Sequence, residues 1–210
     1  MNSNPRIDAV VFDLLTALLD SWSVWNRAAG SATDGLKWRR AYLELTYDCG
    51  VYRPYEDLVR EAARETGVAI TAVEKLIEYW DTLEPWSEAP LVLNHLASRG
   101  VRLGVVTNCS IHLGRRAAER VGVPFAAVVT AEEVGFYKPR PEPYRAVIDR
   151  IGADPGRTLF VAGSPADIPG AVGVGMPVFW HNRMGLPFVP DKARPLLIAD
   201  SLHPVAELVR

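Results

Sequence analysis

Cysteine is scarce in this chain: Cys49 and Cys109 are the only two among 210 residues. Two thiols build neither a disulfide framework nor a thiolate metal cluster, and they read as reduced thiols of a cytoplasmic protein. Long apolar runs are missing as well. No stretch approaches the ~20 residues needed to cross a bilayer, so no membrane association is expected. Charge of one sign is not in excess, since 23 Lys and Arg stand against 25 Asp and Glu, a formal net charge of −2. With no basic stripe either, the electrostatic footprint of a nucleic-acid binder is lacking. The opening residues Met1 to Asp8 lack the basic-then-apolar order of a secretory signal. What remains is a globular composition, 49% apolar and 23% charged, long enough for one large domain or a domain with a modest insertion.

Short apolar runs recur along the chain. Residues 7–12, 101–107, 126–130, 158–161 and 177–180 are rich in β-branched or apolar side chains without polar alternation, and 195–198 is a weaker sixth. Such runs suit strands covered on both faces of a parallel sheet. Helical patterns lie between them at 87–98, 111–121, 142–151 and 165–174, with a last one from Ser201. The alternation predicts an α/β fold with a doubly wound, mostly parallel sheet, whose ligands bind at the carboxyl ends of the strands. One region breaks it: from Trp22 to Trp86 the pattern is helical throughout, which predicts a small helical insert after the first strand. The expected division is a core of 1–20 and 87–210 and a helical cap of 21–86.

The first run ends in Asp13, and a carboxylate closing an apolar strand is either a turn or helix cap or a reagent. Three later segments favour the reagent. Thr107-Asn108-Cys109-Ser110 follows the second run with small polar groups where a helix is about to begin; taken alone, they read as helix caps. Lys138 stands between Tyr137 and two prolines, stiffer than a surface lysine needs, and Asp167 follows the fourth run. One sheet edge thus gathers two carboxylates, polar donors and a lysine. An opposite charge keeps a carboxylate ionised, so Lys138 suits Asp13 as a nucleophile that forms an ester, which water then hydrolyses. Asp167 is placed to orient Lys138 or that water. In the insert, Arg39 falls in the middle of the apolar face of a helix around 34–48, opposite Lys37, Arg40, Glu44 and Asp48. A guanidinium there either snorkels, pairs internally, or faces a cleft that receives an anion.

These segments, in this order and spacing, resemble the haloacid dehalogenase-like hydrolase superfamily over essentially the whole chain, and most nearly its type II L-2-haloacid dehalogenases. The residues that carry the resemblance are Phe12-Asp13, Trp38-Arg39, Thr107-Asn108-x-Ser110, Tyr137-Lys138-Pro139, Tyr144, Asp167 with Gly170-Ala171, and Trp180-x-Asn182-Arg183. The resemblance implies Asp13 as nucleophile, Lys138 and Tyr144 as its supports, and Asp167 at the hydrolytic water. It implies Arg39, Thr107 and Asn108 as ligands of the substrate carboxylate or leaving group. Leu15 and Trp180 are expected in the substrate pocket, and a small anion with a short apolar tail is the expected substrate. A homodimer, common in that branch, is expected, and no cofactor.

Most of the superfamily are magnesium phosphatases, whose general acid stands two residues beyond the nucleophile; that place holds Leu15. Their metal-binding carboxylate aligns with Gly163, which offers no side chain. A halide leaves without protonation, so neither loss impedes dehalogenation. The type II enzymes usually carry Tyr-Gly-Thr where this chain has Leu15-Thr16-Ala17, which removes the threonine that supports the nucleophile unless Thr16 takes its place. The alternatives are a magnesium-dependent phosphatase and a diverged member that binds a small acid or a partner without turnover.

Overall fold

The structure is a computed structural model that describes residues 6–188 and 193–209. Six parallel strands form one sheet: β1 (Ala9–Asp13), β2 (Arg102–Thr107), β3 (Ala127–Thr130), β4 (Thr158–Ala162), β5 (Val178–His181) and β6 (Leu197–Ala199). Their order is β3-β2-β1-β4-β5-β6. The chain winds outward from β1 through β2 to β3, then crosses back to β4 on the other side, so the winding reverses beside β1. That reversal opens a crevice at the carboxyl ends of β1 and β4, where doubly wound sheets hold their ligands. Every residue of β1 and of β4 is buried, in keeping with strands covered on both faces.

Ten helices accompany the sheet among the described residues. The insert carries α1 (Ser21–Ala29), α2 (Ala32–Asp48), α3 (Tyr55–Thr66) and α4 (Thr71–Glu78). The rest are α5 (Ala89–Ser98), α6 (Ile111–Arg120), α7 (Ala131–Val134), α8 (Pro141–Ile151), α9 (Asp167–Gly173) and α10 (His203–Leu208). Of the six helices that follow residue 86, five fall within the predicted stretches or a residue beyond them. The short α7, capped by the Thr130 hydroxyl on the Glu133 N–H, has too few residues to show a period and was not predicted. None is long and apolar enough to cross a membrane among the described residues.

Strand alternation sorts the core into two layers. Val10, Phe12 and Phe179 pack with α5, α6 and the insert, whereas Ala9, Val11, Val178 and Trp180 pack with α8 and α9. The insert shares the first of these cores: Trp25, Trp38, Leu58, Leu76 and Trp80 belong to one continuous cluster with the sheet. Polar ties add to it, since Trp80 Nε1–H donates to the Leu113 carbonyl at 2.9 Å and Tyr42 Oη–H donates to the Asn108 carbonyl at 2.8 Å. Positions 1–5, 189–192 and 210 of the expected core lie outside the described residues.

Candidate active site

Asp13 is the last residue of β1, Asp167 the first of α9 just beyond β4, and Lys138 stands between α7 and α8. The parallel sheet brings the three together across 154 positions of sequence. Lys138 Nζ donates to Asp13 Oδ1 at 2.6 Å and lies 3.2 Å from Asp167 Oδ1. All three side chains are buried, Lys138 the most deeply.

The two oxygens of Asp13 have different neighbours. Oδ2 accepts three hydrogen bonds, from the Thr16 N–H at 2.9 Å, the Thr16 hydroxyl at 2.5 Å and the Ala17 N–H at 3.3 Å. Oδ1 accepts one, from Lys138. Asp13 is therefore both a turn cap and a candidate reagent: Oδ2 organises the turn at 14–17 while Oδ1 keeps free lone pairs. Thr16 takes the supporting place that the sequence left open, and it needs no threonine at position 17.

Electrostatics separate the carboxylates. Burial by itself raises the Asp13 pKa, but the Lys138 charge, its hydrogen bond and those from Thr16 outweigh burial and leave Asp13 below its ordinary value. Asp167 is pushed up to about 6, first by burial and then by the Asp13 charge, against the opposing pull of Lys138. Burial disfavours the Lys138 ammonium, yet the two carboxylates more than compensate and raise its pKa. Asp13 is thus the anion, Lys138 the cation, and Asp167 the group that changes charge near neutrality.

A second set of contacts fixes the turn from behind. Trp86 Nε1–H donates to the Thr16 carbonyl at 3.1 Å, and the Ser21 hydroxyl donates to the Leu15 carbonyl. Burial lowers the His181 pKa, so its neutral Nδ1–H donates to the Ala17 carbonyl at 2.8 Å. None of these three residues carried a signal in the sequence beyond its apolar or polar type, because each reaches the turn from a distant segment.

Several expected ligands have other employment. Asn108 does not cap α6; its amide clamps the Lys138 backbone, donating to the Lys138 carbonyl at 3.0 Å and accepting from the Lys138 N–H at 2.8 Å. One N–H and the oxygen of that amide position Lys138, and Asn108 also lines the cavity. Thr107 is buried beside it, its hydroxyl 3.6 Å from Cys109 Sγ. Tyr144 lies behind Asp167, donating to its carbonyl at 3.1 Å and to Oδ1 at 3.3 Å, and so supports Asp167 instead of Asp13. Trp180 is fully buried in the α8/α9 layer, its Nε1–H has no partner among the described residues, and it is not part of the cavity lining.

A cavity of about 370 Å³ lies between this edge and α2. Asp13, Leu15, Thr107, Lys138 and Asp167 form its floor, and Trp22, Arg39 and Leu43 its roof. Arg39 is buried, its guanidinium stacked 4.1 Å from the Trp22 ring centroid and its Nη1–H donated to Ser21 Oγ at 2.8 Å. No carboxylate lies within ion-pair distance of Arg39 among the described residues. A buried cation without a counter-ion, facing a cavity, is built to receive an anion. Tyr47, also on the wall, went unremarked in the sequence because it sits at the frayed end of the α2 pattern.

Comparison with known proteins places this geometry. A family model for haloacid dehalogenase-like hydrolases matches residues 7–175. The chain belongs to the haloacid dehalogenase-like hydrolases. Within that family it is similar to (S)-2-haloacid dehalogenase of Pseudomonas sp. strain YL, 29% identical over 96% of this chain and 94% of that protein. It is 38% identical to phosphoglycolate phosphatase of Rhodospirillum rubrum, over 41% of this chain and 37% of that one. The fold matches L-2-haloacid dehalogenase from Xanthobacter autotrophicus with chloropropionic acid covalently bound, at a TM-score of 0.84 and 22% identity, covering 97% and 98% of the two chains.

Family membership raises the question of magnesium, and the donor set does not fit it. Octahedral coordination wants several hard oxygens, whereas here the Lys138 ammonium sits between Asp13 and Asp167, the only carboxylates lining the cavity among the described residues. A side chain at Gly163 is also barred: a Cβ there would lie 2.1 Å from Thr16 Oγ1 and 2.4 Å from the Ala17 nitrogen. The turn that supports Asp13 occupies the space a third carboxylate would need.

Proposed function

We propose that this hydrolase is a 2-haloacid dehalogenase, converting (S)-2-haloacids to 2-hydroxyacids through an ester on Asp13. The observation that carries the reading is the asymmetry of Asp13, with one oxygen held by three donors and the other by a lysine alone. Arg39 binds the substrate carboxylate or the departing halide, and the two lobes, 21–86 and the remainder, act as cap and core. Oδ1 attacks C-2, the carbon–halogen bond breaks, and the halide leaves with the bonding pair; no proton is required, so Leu15 in place of an acid is no obstacle. Oδ2 then becomes the ester carbonyl oxygen. The donors from Thr16 and Ala17 already surround it and stabilise the oxyanion formed when water adds to Cγ. Asp167 takes a proton of that water, the Cγ–O bond breaks while the C-2 oxygen bond stays intact, Asp167 returns the proton to the departing C-2 oxygen, and the hydroxyacid leaves as the regenerated Asp13 carboxyl loses its proton to solvent.

The attack also prepares the base. Ester formation removes the Asp13 charge, one of the two influences that raise Asp167, so the Asp167 pKa falls from about 6 and the carboxylate is ionised when the water must be activated. Turnover in ¹⁸O-water tests the route. Label is expected in an Asp13 peptide after a single turnover, and turnover without label there would refute it. Asp167→Asn is expected to release about one halide per chain and stall with the ester intact.

A homodimer and a reducing, cytoplasmic setting belong to the same proposal. Exposed Leu196, Leu197 and Ile198 along the β6 edge and two unpaired cysteines support them, and light scattering measures the first.

A further inference from the structure

The buried charges of the cavity gather on one part of its wall. Asp13, Arg39, Lys138 and Asp167 are all buried there at 2–7% exposure. The apolar part of the wall is more open: Leu36, Leu43 and Leu186 are half-buried and Pro187 is exposed, while Tyr47 keeps its hydroxyl beside Ser164 and Asp167. Leu186 is held over the opening on purpose-built contacts, since Asn182 both accepts from its N–H at 2.7 Å and donates to its carbonyl at 2.9 Å. Ala166, next to Asp167, also lines the wall and presents only a methyl group.

Size points the same way. At ~30 Å³ per water, 370 Å³ holds about a dozen waters, roughly twice what an acid of about six non-hydrogen atoms displaces. A two- or three-carbon haloacid bound between Asp13 and Arg39 would leave an apolar channel filled with water, an arrangement that costs free energy at every Å² of wall. An apolar tail on the substrate removes that cost.

We infer that the substrate is a 2-halocarboxylate carrying a medium-length alkyl or an aryl group on C-2, its tail lying along Leu36, Leu43, Ala166, Leu186 and Pro187. This rests on the dehalogenase reading for the head of the molecule and extends it to the tail. The head is fixed by charge at the closed end, so each added methylene runs toward the mouth and buries surface already lined for it. Arg40 at the opening contributes its stem to the wall and leaves its charge in water.

The unmodified chain tests the inference with (S)-2-bromopropionate, -butanoate, -hexanoate and -octanoate, following bromide release. The expected result is a kcat/KM that climbs about threefold to fourfold per methylene as far as hexanoate. A kcat/KM that is flat or falls beyond propionate overturns it. Binding of unhalogenated propionate, hexanoate and octanoate, read from the fluorescence of Trp22 and its neighbours, separates the tail from the chemistry. If no bromide is released from any acid, the dehalogenase reading fails, and the tail inference then stands or falls on whether hexanoate binds about tenfold or more tighter than propionate. Ala166→Phe puts a ring in place of that methyl group, and it is expected to lower the hexanoate-to-propionate ratio of kcat/KM; an unchanged ratio in a folded variant counts against the proposed path.

Discussion

Lys138 and Arg39 are both buried cations facing one cavity, and the fold treats them in opposite ways. Lys138 has two carboxylates within 3.2 Å and its backbone clamped by Asn108. Arg39 has a tryptophan face, one hydroxyl and, among the described residues, no anion within ion-pair distance. A buried charge with its counter-ions supplied by the chain belongs to the folded state itself. One without them is held in place by packing, and its counter-ion has to come from solution. The first is a part of the catalyst; the second is a vacancy for substrate. Burial depth alone does not distinguish the two.

Replacing each cation with methionine separates them most sharply. Lys138→Met leaves Asp13 and Asp167 buried side by side without compensation. Stability is expected to fall by about 3–5 kcal/mol, and halide release by about 10⁴-fold or more, as calorimetry and halide assay would show. Arg39→Met removes a charge that has no partner in the free protein. Its midpoint of unfolding is expected to hold or rise, while substrate binding weakens by about 2–5 kcal/mol. A fall in stability equal to that of Lys138→Met would erase the distinction. A saturating 2-hydroxyacid should further stabilise the wild type against heat and leave Arg39→Met unmoved.

Smaller changes sharpen the picture of the Lys138 end. Thr16→Val deletes one of three donors to Oδ2, and ester hydrolysis is expected to slow about 10²–10³-fold in single-turnover quench, with halide release slowed less. The pH dependence separates the two steps as well. In the free protein Asp167 loses its proton as pH rises through about 6. In the ester the Asp13 charge is gone, so the acid limb of ester hydrolysis is expected below about 6; a limb above that value would contradict the proposed coupling. Trp180→Phe removes an N–H that has no partner among the described residues but also shrinks a fully buried ring, so stability is expected to fall by about 1–2 kcal/mol while activity, with Trp180 off the cavity lining, stays near wild type.

Much of this arrangement was legible in the residues. Six apolar runs without alternation announced buried parallel strands, and the connections between them left few topologies, so Asp13, Lys138 and Asp167 could be placed on one edge. Arg39 stood out because helical spacing put a charge on an apolar face. The misplacements share a cause: sequence gives proximity along the chain but not the direction of a side chain. Trp180 and His181 are neighbours on β5, yet alternation sends the tryptophan into the α8/α9 layer and the histidine to the Asp13 turn. Tyr144 was expected at Asp13 and reaches Asp167 instead, a difference of one strand in a sheet whose strands lie ~4.8 Å apart. The Asp13 turn was the least legible part, because backbone N–H groups carry no residue code.

That turn also constrains change. Thr16 Oγ1 and a β-carbon at position 163 would be 2.1 Å apart, so a carboxylate there and the present support of Asp13 exclude one another. Gaining a carboxylate at position 163 therefore requires the turn at 14–17 to be rebuilt with it, and a single Gly163→Asp replacement cannot carry this chain from one chemistry to the other.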